Sequence, residues 1–110
     1  LKAISDDLWN KYSYRNEEVD RVILTVELKV KNDSGVVWHK QFLLDTLGNN
    51  KGSAMAQLVS CSVALAVEAV LNKEIPSGVT AAPHQSNLVK RWLNQASEIS
   101  DHFILIDHLS

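Results

Sequence analysis

The sequence predicts an α+β fold, and two stretches carry that prediction. Residues 21–31 alternate between apolar and mostly polar side chains, which is the period of a half-buried strand. The stretch after Ser53 is long, apolar and rich in small residues, which is typical of a helix. We therefore expect one domain over residues 1–110. It should form a small, mostly antiparallel sheet with a long buried helix and two shorter helices packed on one face.

The chain is expected to begin with a helix over residues 4–14, because Ile4, Leu8 and Tyr12 recur at helical spacing. Residues 15–20 are polar and break this pattern, so residues 1–19 are predicted to be a leading helix or a linker. A strand over 21–31 follows, with Val22 and every second residue after it on one face.

The sequence Asn-Asp-Ser-Gly at 32–35 predicts a tight turn, in which Gly35 suits a left-handed backbone. Residues 36–45 are then expected to return as the second strand of an antiparallel hairpin. A hairpin alone is marginally stable, so the last predicted strand, 102–109, should join this sheet. Its apolar residues fall on both parities, which predicts cover on both faces.

Ser53 is a good N-cap for the long helix, which should extend to about Asn72. The helix is apolar almost all round, and that pattern predicts burial on most sides. A loop with two prolines separates it from a third helix over 85–97, where Leu88, Trp92 and Ala96 recur at helical spacing.

Composition excludes several classes of function. The net charge is −2, from 11 basic and 13 acidic residues, so no nucleic-acid partner is expected. The one cysteine, Cys61, cannot form an internal disulfide, and no targeting segment is recognisable, so a cytoplasmic location is expected. The uncharged stretch 53–67 is shorter than a membrane span of about 20 residues, so no membrane partner is expected.

The chain carries no complete catalytic motif. It lacks the glycine patterns that bind dinucleotides or nucleoside triphosphates, so no cofactor is expected in this chain. No pair of its four histidines has the helical spacing of a zinc site, and no metal is predicted. Cys61 is expected to be a small buried side chain rather than a nucleophile. We therefore predict no catalytic residue.

One junction has the composition of a binding site. Two glycines bracket the polar loop 48–52, and Ser53 then opens the long helix. A helix N-terminus favours an anion, and Lys51 adds a full positive charge beside it. We predict that Lys51, Gly52, Ser53 and Met55 bind a substrate carboxylate or a phosphate. The alternative is a solvent-facing turn followed by an ordinary helix cap.

The stretch 20–83 resembles the second, non-nucleotide domain of saccharopine dehydrogenase-like oxidoreductases. The resemblance rests on the hairpin 21–44 with its Asp-Ser-Gly turn, on Gly-Ser-Ala-Met-Ala at 52–56, on the apolar run 63–67, and on Gly78-Val79 before Pro83. Lys73-Glu74-Ile75 departs from the family pattern, which has a glycine before the isoleucine-like position.

The resemblance implies that a separate domain of the same chain binds NAD or NADP. It implies that the present domain covers the cleft, helps bind an amino-acid-like substrate and mediates homodimerisation, without activity of its own. Ile23, Val37 and Leu43, on the otherwise polar face of the hairpin, would then meet a second subunit or the nucleotide-binding domain. The chain, which starts at Leu1, is expected to be a fragment of a longer protein. The alternative is a free-standing, non-enzymatic module for ligand binding or oligomerisation.

Overall fold

A computed structural model describes residues 1–15 and 17–109. Its elements are α1 (Lys2–Tyr12), β1 (Arg21–Asn32), β2 (Gly35–Leu47), α2 (Ala54–Leu71), α3 (Ser86–Ile99) and β3 (His102–Asp107). The predicted α+β class and the order of the elements are confirmed. The predicted boundaries differ from the observed ones by at most about two residues.

The three strands form one antiparallel sheet in the order β1-β2-β3. In the hairpin turn, Ser34 N donates to Asn32 Oδ1 over 2.9 Å, and Gly35 has φ +115°. A bulge interrupts the β1–β2 register between Val30 and Lys31. On the other side of β2, Phe42 pairs with Leu105, so the last strand joins the sheet as predicted.

The sheet has two unlike faces. The inner face is the side of the sheet next to α2 and α3, and it is largely apolar. Its residues include Leu24, Val26, Leu28, Phe42, Leu44, Phe103 and Leu105. The outer face holds the residues of opposite parity, which include Ile23, Thr25, Glu27, His39, Gln41 and Ile104. This division follows from the period-two alternation of β1.

The core is small. Among the described residues, the buried apolar side chains are Leu44, Ala54, Ala69 and Leu88. Leu44 belongs to β2, Ala54 and Ala69 to the two ends of α2, and Leu88 to α3. Val26, Leu28 and Leu105 of the inner face remain exposed. The prediction that β3 is covered on both faces is wrong for the described chain.

The prediction of a long buried helix is only partly correct. α2 exists over 18 residues, but only Ala54 and Ala69 are buried, and Val59, Val63 and Val67 are exposed. Side-chain hydrophobicity gives a preference for burial, whereas burial also needs a neighbouring element, and the described chain supplies one for part of α2. Within the described residues, α2 is also the one helix long and apolar enough to cross a membrane by length and composition, with a mean hydropathy of 1.8.

The expectation that both shorter helices pack on the sheet is correct for α3 and wrong for α1. No residue of α1 is buried, and Ile4, Leu8, Trp9 and Tyr12 are all exposed. Its own polar residues stabilise it through ion pairs at i, i+4 spacing, such as Lys2 Nζ to Asp6 Oδ2 at 2.8 Å. The apolar side of α1 therefore has no cover in the described chain.

The molecule is more extended than its length requires. Its radius of gyration is 18.3 Å, whereas a compact chain of this length has about 13 Å. Its accessible surface is 8859 Å², against about 6,100 Å² for a compact monomer of its mass. Much of the apolar surface that the sequence prepares for burial is therefore open.

Candidate functional site

The loop before α2 is a tight turn held by its own backbone. Asn49 N donates to Gly52 O over 3.0 Å, and Gly52 N returns a bond to Asn49 O over 3.1 Å. The backbone of Gly52 has φ +146°, which an L side chain rarely adopts. Gln57 of α2 donates to both Asn49 Oδ1 and Gly52 O, so the loop is fixed against the helix.

Ser53 caps α2 as the sequence predicts. Its backbone is extended, with φ −63° and ψ 152°, and its Oγ accepts a hydrogen bond from Ala56 N over 3.1 Å. This bond satisfies one of the amide groups that the first turn of any helix leaves without an intrahelical partner.

Asp20, which immediately precedes β1, accepts hydrogen bonds from the two amides before that of Ala56. Its Oδ1 accepts from Ala54 N over 2.7 Å and its Oδ2 accepts from Met55 N over 3.0 Å. The side chain is 9% exposed. Hydrogen bonds from these amides lower the pKa of Asp20, although burial opposes the shift. The carboxylate is thus the anion that the helix N-terminus holds.

Gly48 makes this arrangement possible. A Cβ at this position would overlap Asp20 Oδ1 and lie 3.3 Å from Ala54 N. Gly48 N also donates to Asp20 O over 2.8 Å. The close approach of the loop to the carboxylate therefore requires glycine here, for lack of space rather than for backbone conformation. We call Asp20, Gly48 and the first turn of α2 the Asp20 latch.

The four predicted binding residues lie together at this junction. The side chains of Lys51 and Met55 are exposed, while Gly52 and Ser53 are half-buried or exposed in the turn. Lys51 Nζ makes no ion pair within residues 1–15 and 17–109. The amides of Ala54 and Met55, however, are taken by Asp20. Binding of a ligand by the four residues stays a prediction, and an anion bound here would meet Lys51 rather than those two amides.

Two clefts flank the junction. One, of about 170 Å³, lies between the loop and the segment that leads into β1, and Tyr14, Glu18 and Asp20 line it. The other, of about 580 Å³, lies at the end of the sheet and contains Arg21 and Asp45.

The charges of the larger cleft are largely paired with each other. Arg21 donates to Asp45 through both Nε (2.8 Å) and Nη2 (2.5 Å), and these bonds lower the pKa of Asp45. Asp101, on the cleft wall, accepts from Leu47 N over 2.8 Å. Asp101 and the Arg21–Asp45 pair thus brace this end of the sheet.

A second polar cluster lies on the outer face, and the sequence analysis did not find it. The rings of His39 and His108 stack with centroids 4.2 Å apart. His39 Nε2 and Glu27 Oε1 are 2.5 Å apart, and this hydrogen bond lowers the pKa of Glu27. Gln41 links His108 to Thr25. The pairing of His39 with His108 depends on the β2–β3 register, which residue spacing within one strand does not reveal.

The described part of the chain contains no group of three or more His, Cys, Asp or Glu side chains placed to hold a metal ion. Cys61 is a free, half-buried thiol.

The fold and its site define an α+β domain with a small core, an open apolar surface and a helix N-terminus filled by its own carboxylate. This chain belongs to the family of saccharopine dehydrogenase C-terminal domains, whose model matches residues 1–99. The match confirms the resemblance seen over 20–83 and extends it through α1 and α3. The family is the C-terminal part of saccharopine dehydrogenase-like proteins. No solved structure matches the chain.

Proposed function

We propose that this chain is the substrate-binding and dimerisation domain of an NAD(P)-dependent, saccharopine dehydrogenase-like oxidoreductase. The observation that carries the proposal is the family match over residues 1–99. In this proposal a nucleotide-binding domain of the same protein holds NAD or NADP and performs hydride transfer. The present domain then acts only together with that domain, and it works in the cytoplasm as part of a homodimer.

The open apolar surfaces support a role that needs further protein. The apolar side of α1 and the exposed residues of α2 have no cover in the described chain. Burial of apolar surface stabilises by roughly 25 cal/mol per Å², so such surfaces favour association. The nucleotide-binding domain and a second subunit are the partners that we propose for them.

The junction that opens α2 is the proposed contact with an amino-acid-like substrate. Lys51, which makes no ion pair with any described residue, supplies an ammonium group for the substrate carboxylate, and the exposed Met55 supplies an apolar contact beside it. Gly52 and Ser53 hold the loop in position through the bonds described above. Asp20 neutralises the helix N-terminus, so the charge that attracts the carboxylate comes from Lys51.

A hydride-transfer assay of the full-length protein tests this proposal. Candidate amino acids and oxo acids are supplied with NAD(H) or NADP(H), and nicotinamide absorbance is followed. For an active substrate, Lys51→Ala is expected to raise KM about tenfold and leave kcat unchanged, since the lost ion pair binds ground state and transition state alike. Lys31→Ala, at the far end of β1, is the matched control. An unchanged KM for Lys51→Ala would show that the junction is not part of the substrate-binding site. Absence of activity with every combination of substrate and nicotinamide cofactor would count against an oxidoreductase.

A further inference from the structure

Within residues 1–15 and 17–109, the sheet leaves the backbone of β3 open along one edge. Among the described residues the strand order is β1-β2-β3, so β3 has a neighbour on one side only. His108 N donates to His39 O over 3.0 Å. This bond shows which residues of β3 direct their backbone groups towards β2: His108 and every second residue before it. In an antiparallel pair every second residue bonds to the same neighbour. The N–H and C=O groups of Phe103 and Leu105 therefore point away from β2, towards the open edge.

The two edges of the sheet differ in how they are protected. β1 carries charged side chains at Glu27, Lys29 and Lys31 and a bulge beside Val30, and both features hinder pairing with another strand. The middle of β3 is the apolar run 103–106, with Ile104 on the outer face and Leu105 on the inner face, both about half exposed. An unprotected apolar edge of this kind is a template for strand addition.

We propose that β3 pairs antiparallel with β3 of a second copy about a two-fold axis at Ile104, so that two sheets join into one of six strands. The proposal rests on the homodimer proposed above and assigns it a surface. A two-fold axis perpendicular to the sheet keeps the inner faces on one side. It places Phe103 opposite Leu105 of the second copy, and these are the residues whose backbone groups point outwards. Ile104 then lies opposite itself in a non-hydrogen-bonded pair.

This register makes the strand complementary to itself. Apolar side chains meet on both faces of the new pair at positions 103–105. Beyond the ends of that apolar stretch, Asp107 lies opposite Asp101 of the second copy; Lys40 of the same chain pairs with Asp107, and Leu47 N donates to Asp101. A register centred on Leu105 would instead place Phe103 opposite Asp107. A second copy is therefore the occupant that matches the sequence of β3 at the positions 103–105.

The open surface is large enough for such a dimer. The chain exposes about 2,800 Å² more than a compact monomer of its mass. A standard interface removes about 800 Å² from each partner. Strand pairing brings the uncovered inner-face residues of the two copies side by side, which adds apolar contact area to the backbone hydrogen bonds.

Sedimentation of the full-length protein with charges at the two-fold axis tests the pairing. Ile104→Lys and Ile104→Glu should each weaken the dimer at least tenfold, because like charges would face each other about 5 Å apart. An equimolar mixture of the two variants should dimerise again, because opposite charges then meet. Ile23→Lys is the comparison variant: Ile23, 61% exposed, and Ile104, 48% exposed, lie on the same outer face, but Ile23 is in β1, away from the β3 edge. Because the sequence analysis expected a second subunit at Ile23, this variant separates pairing at the edge of β3 from contact through the outer face of the hairpin. This variant should remain a dimer.

A disulfide gives a second measurement that does not depend on tolerance of a buried charge. Ile104→Cys in a Cys61→Ser background should form an intermolecular disulfide on mild oxidation, because Cα atoms of a non-hydrogen-bonded pair lie about 4.5 Å apart. Ile23→Cys in the same background should not form one.

The outcomes separate the two proposals. A monomeric wild-type protein overturns both the homodimer and the edge pairing. A wild-type dimer that loses association through Ile23→Lys, or that forms no Ile104→Cys cross-link, keeps the homodimer and overturns the pairing of β3.

Discussion

Asp20 connects two parts of the chain that are 34 residues apart in sequence. A carboxylate at a helix N-terminus is stabilised both by direct hydrogen bonds and by the partial positive charge of the first turn. Because Ala54 and Met55 donate to it and Gly48 leaves room for it, Asp20 fixes where α2 starts relative to β1. The residue acts through position rather than through chemistry on a ligand.

Removing the charge of Asp20 should reduce stability in a pH-dependent way. Its pKa is lower in the folded chain than the value of about 3.9 in an unfolded chain. A lowered pKa contributes stability above pH 4 that is lost as the pH falls through the folded value. Asp20→Asn should therefore lower the unfolding midpoint by about 4 °C at pH 7 and by less at pH 3. Thermal unfolding followed by circular dichroism at both pH values measures this.

Asp33→Asn is the matched control for that substitution. Asp33 lies in the exposed hairpin turn, and no hydrogen bond or ion pair to its carboxylate occurs within residues 1–15 and 17–109. Its replacement should leave the midpoint within about 1 °C at either pH. If Asp20→Asn lowered the unfolding midpoint equally at pH 7 and pH 3, the stability that the bonds to the amides contribute would not depend on the charge of Asp20.

At the scale of elements, Leu88 is the residue that buries α3 most deeply in the core. This side chain is 1% exposed, and it is the largest fully buried side chain of the described residues. Leu88→Ala should lower the free energy of unfolding by about 3 kcal/mol, because it removes buried methyl groups and leaves a cavity. Leu71→Ala, at the end of α2 where the side chain is 75% exposed, should cost less than about 0.5 kcal/mol. Urea unfolding of both variants measures the difference, and similar losses would contradict the assignment of Leu88 to the core.

The elements were predictable from sequence where a local period specifies them. The alternation from Val22 to Val30 gives β1, and Ser53 marks the start of α2 through its own capping bond. The site was less predictable. Glycines, Lys51 and a helix start correctly locate the junction, but no local pattern shows that Asp20 fills the first turn. That contact needs the fold to bring together residues far apart in sequence.

At the scale of the whole molecule, whether an apolar side chain is buried depends on which other elements pack against it. The apolar residues of α2 satisfy every compositional criterion for a core helix, yet most of them are exposed. The domain family belongs to larger proteins, and in our proposal the rest of such a protein covers this surface. The sequence thus predicts which surfaces favour burial, while the described residues supply no element that buries them.

A dye that becomes fluorescent on apolar surfaces tests this interpretation. The chain expressed alone over 1–110 should enhance the fluorescence of anilinonaphthalene sulfonate several-fold more than an equimolar amount of the full-length protein, because the remaining domains cover α1 and α2 there. Lysozyme, whose apolar side chains are largely buried, gives the baseline fluorescence. Equal enhancement by the two forms would show that the surfaces stay open in the complete protein.

The Asp20 latch has a further consequence for the exchange of backbone hydrogens with solvent. The amides of Ala54 and Met55 belong to α2 in sequence, but their protons are held by a residue that precedes β1. In most helices the first-turn amides exchange rapidly, since no intrahelical bond protects them. Here their exchange rates should follow the opening of the segment before β1 and not the fraying of α2. Two deuterium-labelled positions in the helix therefore monitor whether the start of the sheet is in place.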